Sequence, residues 1–164
     1  MNNVFFIGDT HFGHKNILKY TRPQFATIEE HNEALVANWN KVVKPRDTVW
    51  HLGDFCFGRP SLWYAGRLNG IKRLVLGNHD TLRPEEYMQH FASIHGAVKL
   101  KNMVLTHIPV HPQQKGRFRA NIHGHLHTHR VVLPNLPIPD LWYINVSCEQ
   151  IDHTPIPYES LPLP

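Results

Sequence analysis

Five short motifs distribute nitrogen and oxygen side chains that can bind divalent metals along most of the chain. In order they are Asp9-Thr10-His11, Gly53-Asp54, Gly77-Asn78-His79-Asp80, Thr106-His107 and Gly124-His125-Leu126-His127. Imidazole, carboxylate and carboxamide ligands without a thiolate favour manganese, iron, zinc, nickel or cobalt over calcium. Each motif alone also fits a polar turn or a pair of surface histidines. The ordered set of five predicts a hydrolase that uses two metal ions.

Each motif directly follows a predicted strand. The predicted strands cover residues 4–7, 48–52, 72–76 and 103–106, with a further short strand at His123. Open α/β sheets collect their binding residues at the carboxyl ends of strands. The scattered ligands are therefore expected to converge on one crevice.

The remaining pattern predicts helices and further strands around these five. Thr27 and Glu30 form a capping box, and apolar residues then recur at helical spacing as far as Lys44-Pro45. Other helices are predicted from Pro60 and over residues 84–91, and strands over 97–100, 130–133 and 143–146, with a tight turn at Lys101-Asn102. The proline-rich stretches 134–139 and 155–164 cannot occupy helix interiors or central strands, so surface connections are expected there.

Composition is consistent with one globular domain spanning residues 1–164. Apolar residues make up 41% of the chain and charged residues 18%, whereas 14 histidines are unusual. A formal charge of +4 suits an anionic substrate but is too small to indicate a nucleic-acid binder. The apolar run at residues 4–7 is too short for an export signal or a membrane span. Cys56 and Cys148 are expected to be reduced, in a cytoplasmic protein.

In order and approximate spacing, the five motifs resemble the signature of the calcineurin-like metallophosphoesterases. The resemblance extends from Asp9 to His127, and Gly-Asn-His-Asp and Gly-His-x-His are its most specific parts. It implies an α/β fold of two packed, mostly mixed β-sheets flanked by helices, a four-layer αββα sandwich. It also implies two metal ions at one edge of this sandwich.

The resemblance further implies seven metal ligands, divided between two ions: Asp9, His11 and His127 for one, Asn78, His107 and His125 for the other, with Asp54 bridging both. Two cations roughly 3.5 to 4 Å apart repel each other, and a shared carboxylate offsets that repulsion. Two divalent transition-metal ions are therefore the expected cofactors. Manganese is expected first, with iron, nickel, zinc and cobalt as alternatives.

Two further residues acquire catalytic roles from the resemblance. His79 is placed over the substrate, where it stabilises or protonates the leaving oxygen, and Asp80 is expected to orient it. Hydroxide formed from metal-held water would attack phosphorus, so no protein nucleophile is needed. His14 and Arg59 are the additional candidates for contact with the substrate.

The predicted function is binuclear metal-dependent phosphoester hydrolysis. A phosphodiester is favoured over a phosphomonoester, because no dedicated pocket for a dianionic terminal phosphate is evident. Residues 53–59 lack the Asp and Arg of the Gly-Asp-x-x-Asp-Arg-Gly pattern, which argues against a phosphoprotein phosphatase. The expected partner is a phosphoester, with nucleotides and nucleic acids among the candidates and no membrane; the sequence leaves the oligomeric state open. A non-catalytic metal-binding docking scaffold of the same fold is the rival, although it should have lost ligands or His79.

Overall fold

Two mixed β-sheets dominate the computed structural model, which describes residues 2–164. Within that range the strands are β1 (Val4–Ile7), β2 (Thr48–His51), β3 (Ile71–Val75), β4 (Ser93–His95), β5 (Val98–Leu100), β6 (Met103–Leu105), β7 (Asn121–His123), β8 (Tyr143–Asn145) and β9 (Ile156–Pro157). The first sheet has the order β4-β3-β2-β1-β9, parallel except for β9. The second has the order β5-β6-β7-β8, with β5 antiparallel to β6.

Helices accompany both sheets, as the predicted fold class requires. The α-helices are α1 (Ile17–Tyr20), α2 (Ile28–Val42) and α3 (Pro84–Tyr87), and short 3-10 helices cover Arg59–Arg67, Pro112–Arg117, Cys148–Gln150 and Tyr158–Ser160. The Pro112–Arg117 segment lies over the second sheet, where Lys115 approaches the rings of Trp142 and Tyr143. The architecture is the α/β sandwich of two packed sheets expected from the sequence.

Strand alternation explains why the first sheet is buried on both faces. Successive side chains of a strand point to opposite faces. Phe5 and Ile7 of β1 join one apolar cluster with Leu35 and Trp39 of α2. Phe6 joins a second cluster, formed with Leu52 and residues of the other sheet such as Met103, Leu105 and Ile122. The central strands are therefore sandwiched, and polar groups at their ends are brought to a common edge.

Several local predictions were wrong or incomplete. Residues 130–133 form no strand of either sheet; the chain folds back through the proline-rich loop, with a single bridge between Val132 and Pro139. The stretch 155–164 is more than a surface connection, since β9 pairs with β1. Pro157 is tolerated because β9 is an edge strand. The helix predicted from Pro60 is a 3-10 helix, the one at residues 84–91 ends at Tyr87, and β4 was not predicted.

The prediction that the two cysteines do not form a disulfide is confirmed. Cys56 and Cys148 are free and buried. Burial raises the pKa of the Cys56 thiol to about 12 and also raises that of Cys148. Neither is suited to act as a nucleophile. No helix within residues 2–164 combines the length and the apolar character needed to cross a lipid bilayer.

The hydrogen bonds at the start of α2 provide a test of the fold. Of the predicted capping box, the Thr27 half is formed, whereas the Glu30 side chain bonds one residue earlier than the N-cap. The Thr27 hydroxyl accepts from the Glu30 N–H at 3.1 Å, and the Glu30 carboxylate accepts from the Ala26 N–H at 2.8 Å. Thr27→Ala should lower the free energy of unfolding by about 1 kcal/mol, measured by urea denaturation with a chelator present. Thr27→Ser keeps the acceptor and is the matched control. Equal losses in both variants would show that the cap is not responsible.

Candidate metal centre

The loops that follow β1, β2, β6 and β7 are joined at one edge by backbone hydrogen bonds. The Asp9 N–H donates to the Gly53 carbonyl at 2.9 Å, and the His11 N–H donates to the Asp54 carbonyl at 3.0 Å. The Gly124 N–H donates to the His107 carbonyl at 3.0 Å. Strand ends far apart in sequence therefore place their polar residues in one crevice, as predicted.

Most of the predicted ligands have an unusual backbone conformation. Left-handed φ angles between 48° and 70° occur at Asp9, His11, Asp54, His125 and His127. This region is disfavoured for residues with a Cβ atom, and such strain persists where the surrounding structure imposes it. The strained turns direct the side chains of these loops into the crevice.

Three predicted ligands of the first ion form one cluster. Asp9, His11 and His127 each offer a ligand atom, and these atoms lie within 4.8 Å of one another. Nε2 of His11 is buried and has no hydrogen-bond partner. A buried imidazole nitrogen without a partner is costly, and a bound cation would satisfy it.

A second cluster contains the predicted ligands of the other ion. Atoms of Asp54, His107 and His125 again lie within 4.8 Å of one another. Asn78, which belongs to the same predicted set, places Oδ1 3.0 Å from Nε2 of His107. The structure therefore brings together all seven predicted ligands in the grouping that the motifs implied.

The Asp54 carboxylate lies between the two clusters. Its Oδ2 atom is 3.5 Å from Nε2 of His11 and 3.4 Å from Nε2 of His107. Its Oδ1 atom accepts from the backbone N–H of His79 at 2.8 Å. One oxygen is thus oriented by the protein and the other faces an imidazole of each cluster, as a bridging ligand requires.

The electrostatics of the crevice also fit two divalent cations. Burial raises the pKa of Asp9 to about 6 and lowers that of His11 well below its usual range. Burial opposes ionisation of Asp54 too, but His107 and His11 outweigh it and hold its pKa below the usual value. A cation would offset the desolvation of these carboxylates. Burial lowers the pKa of His107, but the hydrogen bond to Asp54 and the nearby Asp9 outweigh it and raise that pKa to about 9, so metal binding there would release a proton. The nitrogen and oxygen donor atoms of the two clusters suit a divalent transition metal.

The match to a known family extends well beyond the five motifs. The sequence model of the calcineurin-like phosphoesterase family matches residues 3–157 of this chain. The chain belongs to the calcineurin-like phosphoesterase family. This confirms the resemblance that the motifs suggested.

Similar proteins come from archaea, phages and bacteria. An uncharacterized protein of Methanocaldococcus jannaschii is 40% identical over 84 residues, which are 49% of this chain and 48% of that protein. The chain spans about half the length of the curated relatives it matches. A protein of unknown function from Aquifex aeolicus has a crystal structure with a TM-score of 0.75 and 29% identity, with 97% of each chain covered.

A more distant structural neighbour confirms the fold. The structure of an archaeal phosphodiesterase matches with a TM-score of 0.51 and 22% identity, over 90% of this chain and 85% of that one.

The hydrogen bond expected between Asp80 and the His79 ring is not formed in the described residues. The buried Asp80 carboxylate accepts hydrogen bonds from the backbone N–H groups of Gly77 at 2.8 Å, Asp54 at 2.8 Å and Phe55 at 2.9 Å. Among the described residues it makes no hydrogen bond to the His79 ring. Its oxygens are occupied by three backbone donors, so Asp80 fixes two metal loops against each other rather than orienting an imidazole.

Close approach of these loops also requires a glycine at position 77. A Cβ atom there would overlap Oδ1 and the backbone nitrogen of Asp54. Only a residue without a side chain leaves the Asp54 carboxylate in its observed position. The glycine of this motif therefore has a steric role beside the ligand Asn78.

The predicted substrate residues have different outcomes. His14 lies beside the metal cluster, with its Nδ1 atom 3.3 Å from Nδ1 of His11 and its ring centroid 5.8 Å from that of His79. Arg59 instead pairs with Glu86 at 2.7 Å and makes no contact with the ligand residues in the described part of the chain. The structure thus supports a position at the site for His14 and not for Arg59.

Sequence reasoning missed a buried pair behind the first cluster. Nδ1 of His127 donates to Oε1 of Glu149 at 3.0 Å, and Arg22 donates to the same oxygen at 2.9 Å. The Arg22 guanidinium also donates to the carbonyls of Asp9 and Thr10. Glu149 therefore leaves Nε2 of His127 free to bind metal, and Arg22 anchors the first metal loop.

One signal could have identified Glu149. It follows β8 by a few residues, in the same relation to a strand end as the ligands themselves. Arg22 lies in no motif, and its complete burial was not visible in the sequence.

Removal of the Glu149 charge should weaken metal binding to this protein. Glu149→Gln weakens the hydrogen bond that orients His127, and loss of such a partner typically lowers metal affinity about 10- to 100-fold. Manganese affinity would be measured by isothermal titration calorimetry, with Glu159→Gln at an exposed position as the control. Unchanged affinity in Glu149→Gln would contradict a role in orienting His127.

Proposed function

We propose that this protein is a binuclear metal-dependent phosphodiesterase that cleaves its substrate by hydrolysis. The observation that carries the proposal is the position of Asp54, with one carboxylate oxygen 3.5 Å and 3.4 Å from imidazoles of the two ligand clusters. Asp9, His11 and His127 would hold one ion, and Asn78, His107 and His125 the other. Two such cations would acidify water and offset the negative charge of a phosphate.

The chain itself supplies the group proposed to assist the leaving oxygen. The backbone of His79 is tied to Oδ1 of Asp54, and its ring centroid is 5.3 Å from that of His11. The imidazole is half-buried beside the crevice and lies outside both ligand clusters. In the proposal, an N–H of this ring donates to the oxygen that departs from phosphorus.

The placement of basic groups supports a diester over a monoester. Among residues 2–164, Arg22 is the one arginine or lysine whose ion pairs and hydrogen bonds reach the ligand loops. Its donors are already bound to Glu149 and to backbone carbonyls, so they do not face a substrate. A dianionic terminal phosphate would find little additional positive charge, whereas a diester carries a single negative charge.

The cytoplasm is the proposed location. The free, buried cysteines are compatible with a reducing compartment. Manganese is the proposed metal, because the nitrogen and oxygen donors of the two clusters suit it, with iron, nickel, zinc and cobalt as alternatives.

The decisive assay compares bis(p-nitrophenyl) phosphate with p-nitrophenyl phosphate after reconstitution with manganese, nickel or zinc. The expected result is a higher kcat/KM for the diester and two bound ions per chain. Asp54→Asn should lose activity together with metal. A higher kcat/KM for the monoester would make the protein a phosphomonoesterase. Two bound ions without turnover of either compound would favour a docking scaffold.

His79→Ala provides a separate test of leaving-group assistance. The variant should retain two metal ions by elemental analysis while kcat falls on the order of 10²- to 10⁴-fold, the usual contribution of a general acid. His129→Ala removes an exposed imidazole and serves as the control. A wild-type rate in His79→Ala with full metal content would exclude the role.

A further inference from the structure

An exposed phenylalanine lies beside the proposed leaving-group histidine. Phe57 is 52% exposed, although phenylalanine is usually buried. Its ring centroid is 6.2 Å from that of His79 and 4.5 Å from that of His14. The Phe57 and His14 rings are stacked, with an interplanar angle of 10°. One face of Phe57 is therefore covered by His14, and the exposed remainder of the ring is at the mouth of the crevice.

The backbone holds this ring in place. The Phe57 N–H donates to the Phe12 carbonyl at 2.8 Å, and the backbones of Cys56 and Phe12 form an isolated parallel β-bridge. Both Phe12 and Cys56 are buried in the core. The ring is thus presented to solvent by an anchored segment, a favourable arrangement for stacking a planar ligand group.

Positive charge is supplied by Arg59, which follows Phe57 by two residues in the chain, and by Arg83. Arg59 and Arg83 both pair with Glu86, at 2.7 Å and 3.6 Å, and their side chains are largely exposed. The two guanidinium groups share one carboxylate, so the group carries a net positive charge. A shallow depression is lined by Arg59, Arg83, Glu86 and the exposed Trp63. Aromatic rings combined with exposed cations are the pattern by which proteins bind single-stranded nucleic acids.

We propose that the substrate of this site is a nucleotide phosphodiester, with a base stacked on Phe57 and a neighbouring phosphate held by Arg59 and Arg83. The inference rests on the proposed function and specifies its substrate class. Because Phe57 lies on the His79 side of the crevice, the stacked base belongs to the leaving nucleoside. Arg59 then contributes to a second phosphate rather than to the one being cleaved.

The test compares a 5′-phosphorylated dinucleotide with an otherwise identical compound in which both bases are replaced by hydrogen. Stacking of one base corresponds to a factor of about 5 to 150 in affinity. The wild-type kcat/KM should favour the dinucleotide by a factor in this range. In Phe57→Ala this ratio should fall close to 1, whereas Phe57→Trp should keep it. Leu136→Ala, which removes a side chain of similar 50% exposure in the proline-rich loop, should also keep it.

A binding measurement separates this inference from the proposed function. Binding of adenosine monophosphate to chelator-treated protein would be followed by NMR, and Phe57→Ala should weaken it at least fivefold. Hydrolysis of aryl phosphodiesters with no preference for the dinucleotide would overturn the inference and leave the proposed function intact. Absence of all hydrolysis would overturn the proposed function; Phe57-dependent nucleotide binding would then still support the stacking surface. Equal binding of adenosine monophosphate by wild type and Phe57→Ala would overturn the inference.

Discussion

The Asp54 carboxylate is held between imidazoles of two clusters, and the arrangement of the surrounding loops depends on its position. One of its oxygens accepts from the His79 backbone, and its own backbone N–H donates to Asp80. Its carbonyl accepts from the His11 N–H. The loops after β1, β2 and β3 are thus joined through a single residue. A small displacement of Asp54 would move ligands of both clusters together.

This arrangement requires several charged groups to be buried, and a second layer of residues stabilises them. A buried charge is costly unless it is paired and hydrogen-bonded. Arg22 is fully buried, yet it donates to Glu149, to His31 and to two backbone carbonyls. Burial and the nearby Arg22 charge lower the pKa of His31 to about 3, so its ring is neutral and can accept. Arg22 is therefore paired behind the first cluster, whereas the second Glu149 oxygen, Oε2, is buried without a hydrogen-bond partner.

The sequence predicted the ligands better than it predicted their supports. A short apolar strand followed by a polar motif is visible at Asp9 or Asp54, because both the strand and the ligand type leave a local pattern. The hydrogen bonds of Asp80 leave no such pattern, since two of its three backbone donors, Asp54 and Phe55, lie 26 and 25 residues earlier in the chain. Arg22 resembles any surface arginine until the fold buries it. Residues 130–133 have strand-like composition, but the prolines that follow turn the chain back before it can pair with either sheet.

The left-handed conformations at five candidate ligand positions bear on the stability of the fold. Glycine would adopt these angles at lower cost than histidine or aspartate, but it would supply no ligand atom. Conformational stability and metal ligation are therefore opposed at the same positions. Replacement of one of these residues by glycine would relieve backbone strain and remove a candidate ligand in the same step.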